Sequence, residues 1–504
     1  MYNKIKQFLK HSTIYSIGNI ATKGIGVITL PIYTKFISVP EFGLFGLIEI
    51  SIAILVEIFT LGQANSILLF SSSIDNKDQR KSAFFSIFIV VFIIAFSALL
   101  MFEVLKTPVL DIFNASNEIR NLYTLALLVI LLRVINTLFL FQFRALEKST
   151  LYTVVTLTKL FIIVLLVIFF VAVKQMGITG ILYAYILSEL LVFIVQLPLM
   201  MRQMQIRFNL NVVKTAFNFG IPLIFSSIGI MLLNLSDRYM LQVFADLRTV
   251  GLYDLGYRIA GIINMFLIMP FSLTLLPSAY KVFKTEGDKR YYSKLMTYMC
   301  FVLVWAGLAL SLFSKEIVGI FAFNPEYNSA FIVIPIIILS YIFSATRNLA
   351  SLGMFLTKNT KHIAYITIFA AMVNILLNLL LIPKFGMMAA AYNTLISFIL
   401  FHFITKHYAD KFYPVNYENV KLFKIFCIGI LLYLILHFAF TDVTMIGMLV
   451  KVLMIFIFPV ILYSLNLFEK IEIQTLKKIF SNSGEKFSIS KMIKKIIGSE
   501  KKTN

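Results

Sequence analysis

Fourteen apolar runs of about 20 residues follow one another through this 504-residue chain, each long enough to cross a bilayer as a helix. In hydrocarbon every backbone N–H and C=O must be paired inside the segment, and a helix does that. The runs fall at roughly 12–37, 44–69, 83–105, 120–141, 151–173, 178–200, 217–243, 250–276, 293–313, 326–349, 363–382, 386–405, 421–441 and 445–467. Only 14% of the residues are charged, against about a quarter in a soluble domain. The expected fold class is all-α and polytopic, with fourteen transmembrane helices. The basic segment MYNKIKQFLKHS leads into a run too long for a signal-peptide core and without a small-x-small cleavage site. It reads as the start of a retained first helix. Cys300 and Cys427 both lie in apolar runs and the five histidines are scattered, so neither a disulfide nor a metal site is indicated.

The net charge of +21 invites a nucleic-acid reading, but its distribution argues against one. With the N-terminus placed inside, the alternate loops and the tail on that side hold 32 of the 45 Lys and Arg, and the opposite loops hold 6. That asymmetry puts both termini in the cytoplasm. The tail from Glu469 carries Lys477, Lys478, Lys491, Lys494 and Lys495 and is expected to lie on anionic lipid. The outside loops are short and leave no room for an external catalytic domain.

The chain repeats itself. Gly43-Leu44-Phe45 is echoed by Gly251-Leu252-Tyr253, at an offset of 208. Gly177, Tyr183 and Ser188 are matched by Gly386, Tyr392 and Ser397, at an offset of 209. Two matches at nearly one offset imply two six-helix units. Six is even, so both copies face the same way, related by an axis along the membrane normal with a cavity between them. The expected division is residues 1–200 (helices 1–6), 201–405 (helices 7–12), 406–467 (helices 13–14) and a basic cytoplasmic tail, 468–504.

Charges inside the runs are costly, at about 2.5–3.5 kcal/mol for a Lys or Arg near a helix centre. The first half holds Lys23, Arg133 and Lys159 with Glu49, Glu57 and Glu189; the second holds Asp237, Arg238, Asp254 and Arg258. The cations sit on polar or small stripes. Ser16, Asn19, Lys23 and Gly26 share one face, as do Arg133, Asn136 and Thr137, then Tyr152, Thr156 and Lys159, and then Asp254, Arg258 and Gly261. By topology Lys23 lies near mid-membrane, Arg133 and Lys159 in the inner half, and Arg238 and Arg258 in the outer half. Together they form an expected cationic track for an anionic substrate, and a diphosphate suits arginine well. Plainer roles stand beside this one. Asp254 and Arg258, at i and i+4, can simply pair. Asp237 can neutralise a neighbouring arginine, and Glu49 can sit at the outer interface. Glu57 and Glu189 either carry a coupling proton or sodium or balance the lysines. Lys35 and Lys451 are placed to snorkel.

The segments TKGIGVITLPIYTKFISVPEFGLFGL (22–47), FRALEKSTLYT (143–153), SDRYMLQVFADLRTVGLYDLGYRIAG (236–261) and IPKFGMMAAAYNTLISF (382–398) resemble the polysaccharide-repeat-unit flippases. These belong to the multidrug/oligosaccharidyl-lipid/polysaccharide exporter superfamily. The resemblance spans about residues 12–405 and rests on the order and spacing of its motifs. The Asp237-Arg238 pair and a Gly251-Leu252-Tyr253 turn match the second-half signature, while Tyr33-Thr34-Lys35 departs from it in the first half. The resemblance implies two lobes around a cationic cavity in a bacterial plasma membrane protein. It implies flipping of undecaprenyl-diphosphate-linked oligosaccharide to the outer leaflet for O-antigen, capsule or exopolysaccharide synthesis. A polysaccharide polymerase and chain-length proteins are the implied partners, with membrane lipids. No cofactor is expected; coupling to H+, Na+ or the membrane potential stays open. The alternatives are a peptidoglycan-precursor flippase, a drug exporter of the same superfamily and, from another class, a membrane enzyme such as a polymerase or ligase, which the short outside loops disfavour.

Overall fold

The computed structural model describes residues 18, 24–74, 76–112, 116–357, 359–440 and 444–469; Lys23, Ser16, Asn19 and the tail from residue 470 lie outside them. Regular structure among the described residues is helical. The main helices are α1 (Leu30–Phe36), α2 (Val39–Phe59), α3 (Gln63–Ser73), α4 (Lys77–Val104), α5 (Asn117–Ala145), α6 (Ser149–Val173) and α7 (Gly177–Met201). Then come α8 (Leu210–Phe244), α9 (Leu247–Ile263), α10 (Met269–Val282), α11 (Asp288–Leu312) and α12 (Ile334–Ala350). The last three are α13 (Lys361–Phe412), α14 (Asn419–Ala439) and α15 (Met445–Ser464). A π-helical turn, Asn264–Ile268, joins α9 to α10.

Eleven stretches among the described residues are long and apolar enough to cross a membrane. One of them, α13, has 52 residues and is broken at Gly386, so it is two spans. The 35-residue α8 is also long enough to cross. The first expected helix lies largely outside the described residues. The architecture is that of a multi-pass membrane protein and is consistent with fourteen spans.

The breaks fall at glycines. The expected second span is two helices, α2 and α3, separated at Leu61 and Gly62, both with positive φ. A Cβ at Gly62 would come within 2.2 Å of the Gly220 carbonyl oxygen, so only glycine fits. Gly177 and Gly386, matched in the repeat, share the left-handed conformation at φ 56 and 54. Ser188 and Ser397 are both buried and donate to the preceding turn, at Tyr185 O (2.9 Å) and Asn393 O (2.7 Å).

The chain forms two compact units. The first comprises Met1–Phe266, Val318–Val333 and Thr367–Ser397. The second comprises Leu267–Ile317, Ile334–Ile366 and Phe398–Asn504. These units group helices by contact, so the first contains helices from both sequence repeats. The division at residues 200 and 405 describes repeat order instead and stays a proposal.

In the first unit, α2 starts at Val39, earlier than residue 44. Ser38 and Glu41 form a capping box, with Pro40 in the first turn. α9 starts at Leu247 because the Asp246 side chain accepts from Thr249 N at 2.7 Å. Gly251-Leu252-Tyr253 therefore lies within a helix and not in a turn. The backbones of α2 and α9 touch. A Cβ at Gly43 would lie 2.1 Å from Leu247 O, and one at Gly251 would lie 2.2 Å from Val39 O.

In the second unit, α15 is fixed to α11 by Trp305 Nε1, which donates to Ile455 O at 2.7 Å. Lys451 does not snorkel. It is buried and paired with Glu316, which the short helix Ser314–Phe321 brings to it. Lys35, in the first unit, is exposed beside the Phe36 and Phe323 rings. Lys294 on α11 pairs with Glu418 ahead of α14 (3.0 Å) and with Glu469 beyond α15. Burial raises the Glu418 carboxyl, but hydrogen bonds from Lys421, Lys294 and Thr297 outweigh that and hold it below the ordinary carboxylate range. Arg347, near the end of the expected run 326–349, lies in the last turn of α12.

Candidate functional site

The intramembrane charges of the first unit form one connected network. At its centre, Asp254 of α9 accepts from Arg238 Nε (2.8 Å) and Arg258 Nε (2.6 Å). Its carboxylate lies against α2 at Gly46, where a Cβ would stand 3.2 Å from it. Arg238 of α8 is buried and bonded through Nε and Nη1. Its Nη1 donates to Asn234 O (3.0 Å) and Asp237 Oδ1 (3.4 Å), and its guanidinium lies 4.2 Å from the Tyr257 ring centroid. Asp237 also accepts from Tyr253 Oη and Thr394 Oγ1. Arg258 reaches across to Glu49 of α2, between the Phe42 and Phe45 rings.

From Glu49 the network continues to α7 and α5. Tyr185 Oη donates to Glu49 Oε1 (3.1 Å), and the Arg133 guanidinium lies 4.7 Å from the Tyr185 ring centroid. Glu189 then accepts from Arg133 Nε (3.0 Å), Lys159 Nζ (2.6 Å) and Asn136 Nδ2 (2.8 Å). The stripe that joined Arg133 to Asn136 thus faces one carboxylate.

Seven of the ten sequence-selected charges, Glu49, Arg133, Lys159, Glu189, Arg238, Asp254 and Arg258, are therefore held by ionic partners that sequence spacing could not reveal. Arg238 and Asp254 are 16 apart, Arg133 and Glu189 are 56 apart, and Glu49 and Arg258 are 209 apart. The i, i+4 pair of Asp254 and Arg258 forms, but as part of a larger set. Glu49 belongs to the site and not to an interface. Lys23 lies outside the described residues, although Gly26 of its stripe would place a Cβ 3.7 Å from Arg258 Nη1. Glu57 is half-buried and makes no ion pair among the described residues.

The expected track through the membrane is instead a compact cluster. α2, α7 and α9 begin at the same end of the unit: Val39 meets Gly251, and Gly177 lies beside Glu41. At 1.5 Å per residue, Glu49, Glu189 and Arg258 all lie about 15–18 Å from those helix starts. The carboxylates draw the cations to one level.

Exposure divides the members. Asp237, Glu189, Arg238 and Asp254 side chains are 1%, 1%, 3% and 4% exposed. Arg133, Lys159 and Arg258 are 22%, 17% and 15% exposed, and Glu49 28%. Three of the four accessible groups are cations, resting on buried anions. Sequence reasoning missed a second set, the buried ladder of Ser236, Asn374, Asn378 and Asn393, each joined to the next by amide or hydroxyl hydrogen bonds. Asn374 and Asn378, at i and i+4 in an apolar run, were the available signal.

These features define the class: a multi-pass α-helical membrane protein with a buried ionic network open on its cationic side. A family profile for polysaccharide biosynthesis proteins matches residues 8–283, more than half of the chain, and the chain belongs to that family. A probable low-salt glycan biosynthesis flippase, Agl15 of Haloferax volcanii, is 23% identical over 212 residues, 42% of this chain and 44% of that protein. The chain thus aligns to less than half the length of that relative. Among solved structures, the lipid II flippase MurJ in an inward closed conformation superposes with a TM-score of 0.73 at 14% identity, covering 90% of this chain and 99% of that one. The MATE transporter VcmN of Vibrio cholerae gives 0.59 at 14% identity, covering 81% and 96%. At such identities these likenesses concern the fold.

Proposed function

We propose that this protein flips a lipid-linked oligosaccharide, carried on undecaprenyl diphosphate, from the cytoplasmic to the outer leaflet by alternating access. The observation that carries this reading is the accessible cationic side of the network, Arg133, Lys159 and Arg258 over buried Glu189 and Asp254. Arg133, whose Nε is held by Glu189, keeps both outer nitrogens for a phosphate, and Arg258, with Nε on Asp254 and Nη2 on Glu49, keeps Nη1. Arg238, buried and bonded to Asp254, Asp237 and Asn234, positions Asp254 instead of touching cargo. Glu189, Asp237 and Asp254 balance charge, since their oxygens are already engaged. Glu57 is the better candidate for a coupling proton or sodium. An organic-cation cargo fits the exposed sign poorly, which disfavours the drug-exporter reading. A peptidoglycan precursor on the same carrier is the second reading, favoured by the fold likeness to the lipid II flippase. Membership of the polysaccharide biosynthesis family supports the first.

Depletion of the protein is expected to build up a polyprenyl-diphosphate oligosaccharide in lipid extracts read by mass spectrometry, with loss of surface polysaccharide. Accumulation of a peptidoglycan precursor would select the second reading. Unchanged lipid-linked sugars and surface polymer, in a strain without a paralogue, would remove both.

Arg133→Gln should lower export about tenfold at normal protein abundance, the loss of one charge-assisted contact. Glu189 keeps Lys159 and Asn136, so folding should survive. Wild-type export in Arg133→Gln would take Arg133 out of the site.

A further inference from the structure

Arg133, Lys159, Arg238, Arg258 and Lys451 each pair with a carboxylate; Arg347 pairs with none among the described residues. It lies in the last turn of α12, in the second unit, and makes no ion pair among the described residues. Its Nε is buried and has no hydrogen-bond partner. One face of the guanidinium lies over the Phe401 ring, 4.4 Å from the centroid. The acid on the same helical stretch as Phe401, Asp410, is taken by Lys406 at 2.9 Å. His402 is bonded to Thr346 through Nδ1 (3.0 Å) and lies in the field of both Arg347 and Lys406. The surroundings therefore give the guanidinium an aromatic face and no unpaired carboxylate among the described residues.

A buried N–H with no acceptor costs its full desolvation, and a guanidinium without a counter-ion costs more. The negative end of α12 offsets part of this but offers no hydrogen bond to Nε. Stacking on Phe401 leaves the edge of the guanidinium free, and an edge of two parallel N–H groups matches two oxygens of one phosphate.

We infer that Arg347 binds a phosphate-bearing lipid headgroup, at a site separate from the ionic network of the first unit. The ligand chemistry is a phosphate or diphosphate monoester or diester. It has two sources in a membrane, the diphosphate of the cargo lipid and the phosphate of an anionic phospholipid. The first source rests on the proposed function; the phosphate site itself does not.

The test uses the full-length protein in detergent, with Arg133→Gln as the parent so that the network site is weakened. Inorganic diphosphate is the titrant. Arg347→Gln should bind it about tenfold more weakly than the parent. Arg347→Lys, which keeps the charge but not the paired N–H edge, should fall between and guards against simple unfolding. Native mass spectrometry of the wild type should show a retained phosphate lipid that is lost in Arg347→Gln. A polyprenyl diphosphate identifies the cargo as its source, and a glycerophospholipid identifies a bound membrane lipid. Equal diphosphate affinity in the parent and both variants would overturn the site. Because depletion and lipid extraction do not involve position 347, the cargo reading stands or falls separately.

Discussion

Asp254→Asn is expected to destabilise the protein by about 3–5 kcal/mol and to leave little folded material in the membrane. The substitution keeps the shape of the side chain and removes the charge on which two guanidiniums converge. Arg238 and Arg258 both donate to this carboxylate through Nε, one to each oxygen. An amide can accept only one of those bonds, and its NH2 faces the other donor. Arg238 retains Asp237, 3.4 Å away, but it is buried among Tyr253 and Tyr257. Arg258 retains Glu49 and is partly exposed. The damage should therefore appear at Arg238. Fluorescence-detected size exclusion and thermal unfolding in detergent measure it. Pairing Asp254→Asn with Arg238→Met should recover part of the loss, because it removes the stranded charge; the two changes should couple by more than 1 kcal/mol, as is usual for contacting residues. Normal abundance and unchanged melting of Asp254→Asn alone would mean that the network is not a mainstay of the fold.

The same geometry changes what is expected of Arg238. From the sequence it is a cargo ligand, and its loss should stop export without lowering protein levels. Enclosed by Asp237, Asp254, Asn234 and Tyr257, it should instead lower the level of folded protein when replaced by alanine. Spacing identified the charges and the helix faces they share. It could not show which carboxylate each cation meets, because those partners lie 16 to 209 residues away in the chain.

The spans themselves were legible because hydrocarbon thickness leaves a plain signature of length and polarity. Their ends were less so. The start of α2 was missed although Ser38-Val39-Pro40-Glu41 carries the capping signal, since the apolar pattern begins later. The break at Gly62 could not be read at all. It is forced by contact with Gly220, far along the chain. Lys451 illustrates the opposite error. A lysine near a helix end suggests snorkelling, but Glu316, 135 residues earlier, buries it. Arg347 falls at the end of an apolar run, and only the folded surroundings show that its Nε meets no acceptor and its charge no carboxylate among the described residues.

Gly43→Ala should be strongly destabilising. α2 and α9 carry the two copies of the repeated Gly-Leu-aromatic sequence, and the copies pack on each other. A methyl at Gly43 would lie 2.1 Å from Leu247 O and 2.9 Å from Gly251 N. Both neighbours are backbone atoms in helices, so neither can rotate away. The helices must separate by about 1 Å or more, at a cost on the order of 3 kcal/mol in lost packing and strain. Gly251→Ala, which meets Val39 O at 2.2 Å, should behave alike. The effect would not stay local. Gly46 holds Asp254 against α2, and Glu49 holds Arg258, so parting the helices also loosens the ion pairs one and two turns further on. Gly319→Ala serves as the control, because nothing lies within 4 Å of its added methyl and helix propensity favours alanine by about 1 kcal/mol. Melting temperature and yield should fall for both repeat glycines and hold for Gly319→Ala. If all three variants melt together, α2 and α9 tolerate separation, and the glycine echo has a cause other than close packing.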